Sequence, residues 1–164
     1  MVRIFRGVLL IVALMALASC GDKFRTYNGP NITRVEVHKS DRTMFLLHGT
    51  QIVKKYAIHL GGTPVGKKHF EGDGKTPEGA YVISMRNPNS SYHLSLKISY
   101  PNDEDRAFAL AAGKPTGGDI FIHGGPPKGT SNRDWTVGCI AVTDRQMEDI
   151  YAMVNPGTPI FIYP

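Results

Sequence analysis

The sequence predicts a mainly β domain, a sandwich or open barrel of about seven or eight strands with one or two short helices. Three observations carry that prediction. Short runs rich in β-branched and aromatic residues recur along the chain, some alternating apolar with polar, and glycine- and proline-bearing segments separate them. Helical spacing is confined to two segments. A length of 164 residues with 41% hydrophobic content suits one packed domain plus a short appendage.

Residues 1–19 stand apart from that domain. Arg3 and Arg6 form a basic start and Gly7 to Ala18 an apolar run too short for an ordinary membrane span, the pattern of a signal peptide. Leu17-Ala18-Ser19-Cys20 resembles a bacterial lipobox, which implies cleavage before Cys20 and lipidation of it; a short uncleaved anchor helix is the alternative. Each buried methylene contributes about 0.8 kcal/mol, so several acyl chains on Cys20 hold the protein to a membrane. The expected location is the cell envelope, lipid-anchored and facing the periplasm. Gly21, in place of the aspartate associated with inner-membrane retention in enteric bacteria, tilts the expectation slightly toward the outer membrane. With Cys20 acylated, Cys139 has no partner for an internal disulfide in an oxidising compartment, and an unpaired thiol there invites a reactive role.

The formal net charge of +5 falls to +3 once Arg3 and Arg6 are removed. That mild excess suits an acidic polymer such as cell-wall glycan peptide and falls short of the dense basic patch of a nucleic-acid binder. There is no Cys-x-x-Cys, and the six histidines are scattered without ligand spacing, so no metal or cofactor is expected.

Gly21 to Asn31 is polar, carries Gly29-Pro30, and reads as the remainder of a lipidated tether over residues 20–31, leaving 32–164 as the domain. Arg34 to His38 alternates apolar with polar, and Thr43 to Leu47 and Ile52 to Leu60 follow as strands of a meander. His38, His48 and His59 fall at strand or turn positions and read as structural. Gly61 to Gly79, dense in glycine, proline and lysine, reads as a long loop over the sheet, and a loop of that length in a compact domain is often a binding loop. Lys67 and Lys68 read as solvated, with substrate carboxylates as the alternative partners. A strand from Ala80 to Met85 and a polar loop from Asn87 to Ser91 come next. In the strand from Tyr92 to Tyr100, Leu94, Leu96 and Ile98 alternate with His93, Ser95 and Lys97. Asp103 to Ala112 looks helical until Gly113 and Pro115 end it. Near the C-terminus the Thr143 hydroxyl caps a helix running through Val154, Asn155-Pro156-Gly157 stops it, and Thr158 to Tyr163 is a closing strand.

The stretch from Ile122 to Val142 holds the thiol expected to be chemically available, with a histidine upstream of it. Cys139 follows Gly138 and precedes Ile140-Ala141-Val142, so a buried strand presents it at one end, with room for substrate beside the glycine. His123 closes the apolar run from Asp119 to Ile122, and two strand ends side by side bring thiol and imidazole together. A free thiol with a pKa of about 8.5 is a few per cent thiolate at neutral pH, whereas an imidazolium partner lowers that pKa to roughly 3.5 to 7.5. Attack on a carbonyl makes an oxyanion, for which the backbone N–H groups around Gly138 and Cys139 are donors; losing one such donor typically costs about 2.7 to 4 kcal/mol of barrier. The hydroxyl of Thr136, or a backbone carbonyl, orients the imidazole. Each residue also has a plainer reading, the cysteine as a small hydrophobe and the histidine as a strand-end hydrogen-bonding group. Arg133-Asp134-Trp135 sets a charge pair and the only tryptophan beside the cysteine, as a lid or as a core plug.

The segment resembles the signature of the YkuD-domain L,D-transpeptidase family, His-Gly followed by a loop and then Ser/Thr-x-Gly-Cys-hydrophobic. Here those residues are His123-Gly124 and Thr136-Val137-Gly138-Cys139-Ile140. Gly72 to Ile83 is similar to the family's Thr-Pro-x-Gly-x-aromatic segment and Tyr92 to Ala107 to its YafK-like subgroup, so the resemblance spans roughly Thr33 to Pro164. It implies a β-sandwich-like catalytic domain acting on peptidoglycan stem peptides. Cys139 then attacks at the L-centre of diaminopimelate, expels the following D-alanine and forms a thioester, with His123 as base. An amine acceptor makes a wall crosslink; water makes the protein an L,D-carboxypeptidase, or an amidase that releases wall-linked lipoprotein. The same resemblance has Tyr92, His93 and Tyr100 lining the substrate cleft and Arg106 offering a bidentate fork to a carboxylate; Trp135, read as a lid, joins them as a substrate contact. Cross-strand packing is the other reading of the tyrosines. Val137 and Ala141 depart from the histidine and the Arg or Asn that many members carry there, which leaves transfer against hydrolysis open. A wall-binding lipoprotein without turnover is the reading from a different class.

Overall fold

The computed structural model describes residues 23–164; the expected signal segment and Cys20 lie outside the described residues. Strands β1 (Arg34–His38), β2 (Thr43–His48) and β3 (Gln51–Ala57) form the expected antiparallel meander. Its alternation is physical: Val35 and Val37 are fully buried, while Arg34 and Glu36 face outward and pair at 2.6 Å. The remaining strands are β4 (Gly79–Asn87), β5 (Ser95–Ile98), β6 (Phe121–His123), β7 (Ile140–Ala141) and β8 (Pro159–Tyr163). They make one mixed sheet in the order β3-β2-β1-β8-β4-β5-β6-β7. The last strand sits in the middle, parallel to β1 and antiparallel to β4, and so joins the meander to the half that carries the cysteine.

The sheet curls until its ends meet. Beyond β3, His59 and Ala141 exchange N–H···O bonds of 2.8 and 2.9 Å, and Gly61 bridges Thr136. Backbone groups that would otherwise lie open at two edges satisfy each other there. The curl encloses one core to which both halves contribute, Val37, Met44 and Leu60 from one side and Leu96, Ile122 and Ile140 from the other. This is the mainly β architecture with two short helices that the sequence predicts. Helix α1 (Asp103–Ala111) starts at an Asn102 cap, and α2 (Asp144–Met153) starts at Thr143, whose hydroxyl accepts the Gln146 N–H. Met147, Ile150, Tyr151 and Met153 bury the inner face of α2 against the sheet.

Three local expectations change. The strand expected from Tyr92 begins only at Ser95, because His93 takes a left-handed φ of 69° and turns Tyr92 away from the ladder. Residues 23–27 do not hang free as a tether would: Lys23 donates to Pro88 O at 2.7 Å, and Arg25 pairs with Glu148 at 2.6 Å and Asp149 at 2.8 Å on the acidic outer face of α2. Nor are the loop lysines solvated. Lys68 is buried and pairs with Asp73 at 2.9 Å, and Lys67 reaches the buried Asp105 of α1 at 2.9 Å. Lys39, also buried, donates to Gly66 O, Thr76 O and Glu78, so the long loop is fastened to the sheet from beneath.

Candidate active site

Strands β6 and β7 run parallel, with Ile122 opposite Ile140 and His123 opposite Ala141. Cys139, one residue before β7, is therefore level with Phe121 and two positions, roughly 7 Å along the strand, short of His123. The strand ends are offset rather than side by side, yet the alternation of side chains turns Cys139 and His123 to the same cleft, about 280 Å3, with Tyr92, Ser95 and Asp119 in its wall. A second cleft of about 440 Å3 opens on the other side of the cysteine, between Lys68, Glu71 and Gly72 of the long loop and Gly117, Gly118 and Val137. Cys139 and Asp119 belong to both walls.

The backbone around the thiol leaves no room for alternatives. Gly138 has a φ of +136°, and a Cβ there would lie 2.6 Å from the Lys75 carbonyl oxygen. Thr136 Oγ1 donates to Cys139 O at 2.7 Å and accepts the Gly138 N–H at 3.2 Å, so it shapes the turn that carries the cysteine. The half-buried thiol donates to Asp119 O at 3.6 Å and accepts the Phe121 N–H. Burial pushes this thiol up, and the Asp119 carboxylate adds to the rise; the Phe121 N–H and Lys68 oppose it.

His123 is buried, and its Nδ1 lies 2.6 Å from the carbonyl oxygen of Gly124. A carbonyl only accepts, so Nδ1 carries the proton and Nε2 is the basic nitrogen. The imidazole is oriented by a backbone carbonyl and not by Thr136. Burial lowers its pKa, partly offset by that hydrogen bond. Tyr92 stacks on the ring at 4.5 Å and Trp135 meets it edge-on at 5.5 Å, so aromatic faces hold it in place. Both displacements favour the uncharged forms at neutral pH, a thiol and a neutral imidazole.

The L,D-transpeptidase catalytic domain family, YkuD, matches residues 32–162. The chain belongs to this family. It is 27% identical over 143 residues to YafK of Escherichia coli (strain K12), a match covering 79% of this chain and 53% of that protein. Among solved structures it is similar to the helical cell shape determining protein Pgp2 from Campylobacter jejuni, with a TM-score of 0.62 and 29% identity over 87% of this chain and 51% of the other. Bd1075 of Bdellovibrio bacteriovorus follows at 0.58 and 26%, covering 81% and 48%. The chain thus spans about half the length of the relatives it matches. L,D-transpeptidase 1 of Mycobacterium tuberculosis, at 14% identity and a TM-score of 0.54 over 83% and 63% of the two chains, shares the fold.

Within this L,D-transpeptidase domain the sequence-predicted residues fall into two groups. Cys139, His123, Thr136, Gly138 and Tyr92 come together, and Trp135 backs the imidazole without lining either cleft at the cysteine. His93 lies behind this wall, its Nε2 2.9 Å from Glu148. Tyr100 and Arg106 are elsewhere. Tyr100 is buried against Tyr81 and donates to Thr116 O, because its apolar ring completes the core where β5 ends. Arg106 is on the exposed side of α1, where Asp103 three residues earlier takes its guanidinium at 2.5 Å. Sequence reasoning missed Asp119 as a wall residue, whose carbonyl receives the thiol at a left-handed φ of 54°; Gly117-Gly118 just before it is the signal of an unusual turn. It also missed Glu71 in the second cleft and read Lys68 there as solvated first and as a partner of substrate carboxylates second, although the length of their loop marks it for binding. Among the described residues no group of three metal-binding side chains occurs, and no helix is long and apolar enough to cross a membrane.

Proposed function

We propose that this chain is a cysteine L,D-transpeptidase of the cell envelope acting on peptidoglycan stem peptides at diaminopimelate. One observation carries the reading: Cys139 lies on the wall shared by two clefts, which suits a reaction with an acyl donor and a separate acceptor. The donor peptide occupies the cleft that contains His123. Its Nε2 takes the thiol proton as Sγ attacks the carbonyl, avoiding a standing charge pair in a buried site. The Gly138 N–H is engaged by Thr136, so we assign the oxyanion to the Cys139 N–H. Collapse expels D-alanine, whose amine takes the proton from His123, and leaves a thioester on Cys139. An acceptor amine entering past Lys68, Glu71 and Val137 gives its proton to Nε2 and takes the acyl group, and Nε2 passes that proton to the departing sulfur, regenerating the thiol. Water entering by the same path gives hydrolysis, and the exposed apolar Val137 at that lip favours transfer by shedding water.

We further propose that Cys20 is lipidated and holds the domain in the envelope facing the periplasm, the outer membrane slightly preferred, with a role in cell shape. The decisive assay incubates wild type and Cys139→Ala with purified tetrapeptide muropeptides. Crosslinked dimer formed by wild type alone supports the transferase, tripeptide alone makes the protein a carboxypeptidase, and no change in either contradicts turnover of this substrate. Release of a wall-linked lipoprotein is the amidase outcome. Palmitate labelling of wild type and Cys20→Ala tests the anchor, and labelling that persists in the variant overturns it.

A further inference from the structure

The peptide unit between Gly124 and Gly125 is held at both ends. Its carbonyl oxygen lies 2.6 Å from His123 Nδ1, and its N–H donates to Oδ1 of Asp144 at 2.8 Å. Carboxylate and imidazole are therefore joined through one planar, conjugated amide. The glycines permit this arrangement. A Cβ at Gly124 would lie 2.5 Å from Asp144 Oδ1 and 2.9 Å from Tyr92 O, and Gly125 has a φ of +105° with a Cβ position 3.3 Å from Trp135. Asp144 comes immediately after the Thr143 cap, so the first turn of α2 delivers it to the amide.

We infer that Asp144 is a positioning residue for His123, acting through the Gly124–Gly125 peptide. It fixes the tilt of that peptide and, as an anion, polarises the carbonyl toward the Nδ1 proton. The role rests on the reading of His123 as the base. When Nε2 takes the thiol proton the ring becomes a cation, and its bond to Gly124 O becomes charge-assisted and shortens. A carboxylate on the far side of the same amide strengthens that bond cooperatively, the task a directly bonded carboxylate performs in a Ser-His-Asp triad.

The other charged groups around the ring are committed elsewhere. Tyr92 and Trp135 present aromatic surfaces. His93, behind Gly124, pairs with Glu148, which also holds Arg25. Asp134 is clamped by Arg42, and Asp119 by Lys97 at 2.7 Å. Cys139 and Lys68 lie on the cleft side. Asp144 is the carboxylate that the hydrogen bonds connect to the imidazole.

The test compares full-length wild type, Asp144→Asn and Asp144→Ala, with His123→Gln to assign the histidine ring signal by NMR. Asparagine keeps an acceptor for the Gly125 N–H and removes the charge. A unit charge on the order of 7 Å from the ring shifts its titration by about half a unit even at the dielectric of water, so the His123 midpoint should fall by about that much in Asp144→Asn. Acylation of Cys139 by a carbapenem at neutral pH should slow roughly tenfold in Asp144→Asn and more in Asp144→Ala. Thermal melting of Asp144→Asn should match wild type. An unchanged midpoint with an unchanged acylation rate overturns the inference, as does a lowered melting temperature with an unmoved midpoint, the result of a role confined to the helix end. A wild type that is not acylated at all would overturn the proposed nucleophile, while the NMR midpoint would still decide the role of Asp144.

Discussion

Cys139 and His123 are displaced by burial in opposite directions, and both displacements favour the uncharged form. The sign of the pH dependence follows. An unfolded thiol ionises near 8.5 and the folded one higher, so the rate of Cys139 alkylation by iodoacetamide, which follows the thiolate fraction, should still be climbing at about pH 8.5. A plateau established below neutrality would reveal a standing ion pair and contradict this resting state. For His123 the folded pKa lies below the unfolded value of about 6.5, so between the two the unfolded chain binds a proton that the folded one refuses. Stability contributed by the neutral buried ring is complete above about 6.5 and is lost as the pH falls toward the folded value. The drop in urea midpoint between pH 7.5 and pH 5.5 should therefore be smaller in His123→Gln than in wild type; equal drops would assign the acid sensitivity to other groups.

The elements around the site are held by a few buried or half-buried charges. Asp73 accepts the N–H groups of His69, Phe70 and Lys75 as well as Lys68 Nζ. Burial alone would raise this carboxyl, but those four donors outweigh it and bring it to about 2. Its contribution is present above the unfolded value near 3.9 and disappears as the pH falls from there to about 2. At neutral pH Asp73→Asn should cost on the order of 2 kcal/mol by urea denaturation, and a loss below half of that would mean the loop holds itself by other contacts. The strap at residues 23–27 depends on weaker, partly exposed pairs. Removing the Glu148 carboxylate with Glu148→Ala releases His93 and leaves Arg25 with Asp149 alone; it should cost about 1 kcal/mol or less, yet hasten tryptic cleavage after Arg25. Cleavage at the wild-type rate would show that the Lys23 contacts and the Arg25–Asp149 pair suffice to hold the strap.

For the whole molecule, the sheet matters because its closure at His59 and Ala141 brings the long loop after β3 over the cysteine and so creates the second cleft. Much of this architecture was legible in the sequence. The meander, the two capped helices and the closing strand follow from local alternation, caps and Gly/Pro stops, signals that short segments carry by themselves. The insertion of β8 between β1 and β4 does not, since pairing partners far apart in the chain leave no local trace. The same division runs through the site. Cys139, His123 and Gly138 stand in a compact motif, whereas Lys68 comes to the cleft through the curl of the sheet and Asp119 meets the thiol through the pairing of β6 with β7. Tyr100 and Arg106 were drawn toward the cleft by their positions in a family-like segment, but the register at the end of β5 and the turn of α1 direct them away.

The account rests on Cys139 as a nucleophile served by His123. Intact-mass spectrometry of the purified protein after exposure to a carbapenem tests it most directly. Wild type should gain a single covalent adduct on the Cys139 peptide, Cys139→Ser none, and His123→Gln the same adduct roughly 100-fold more slowly, within the range that general-base loss costs. An unmodified wild type, or an adduct that survives in Cys139→Ser, would contradict it.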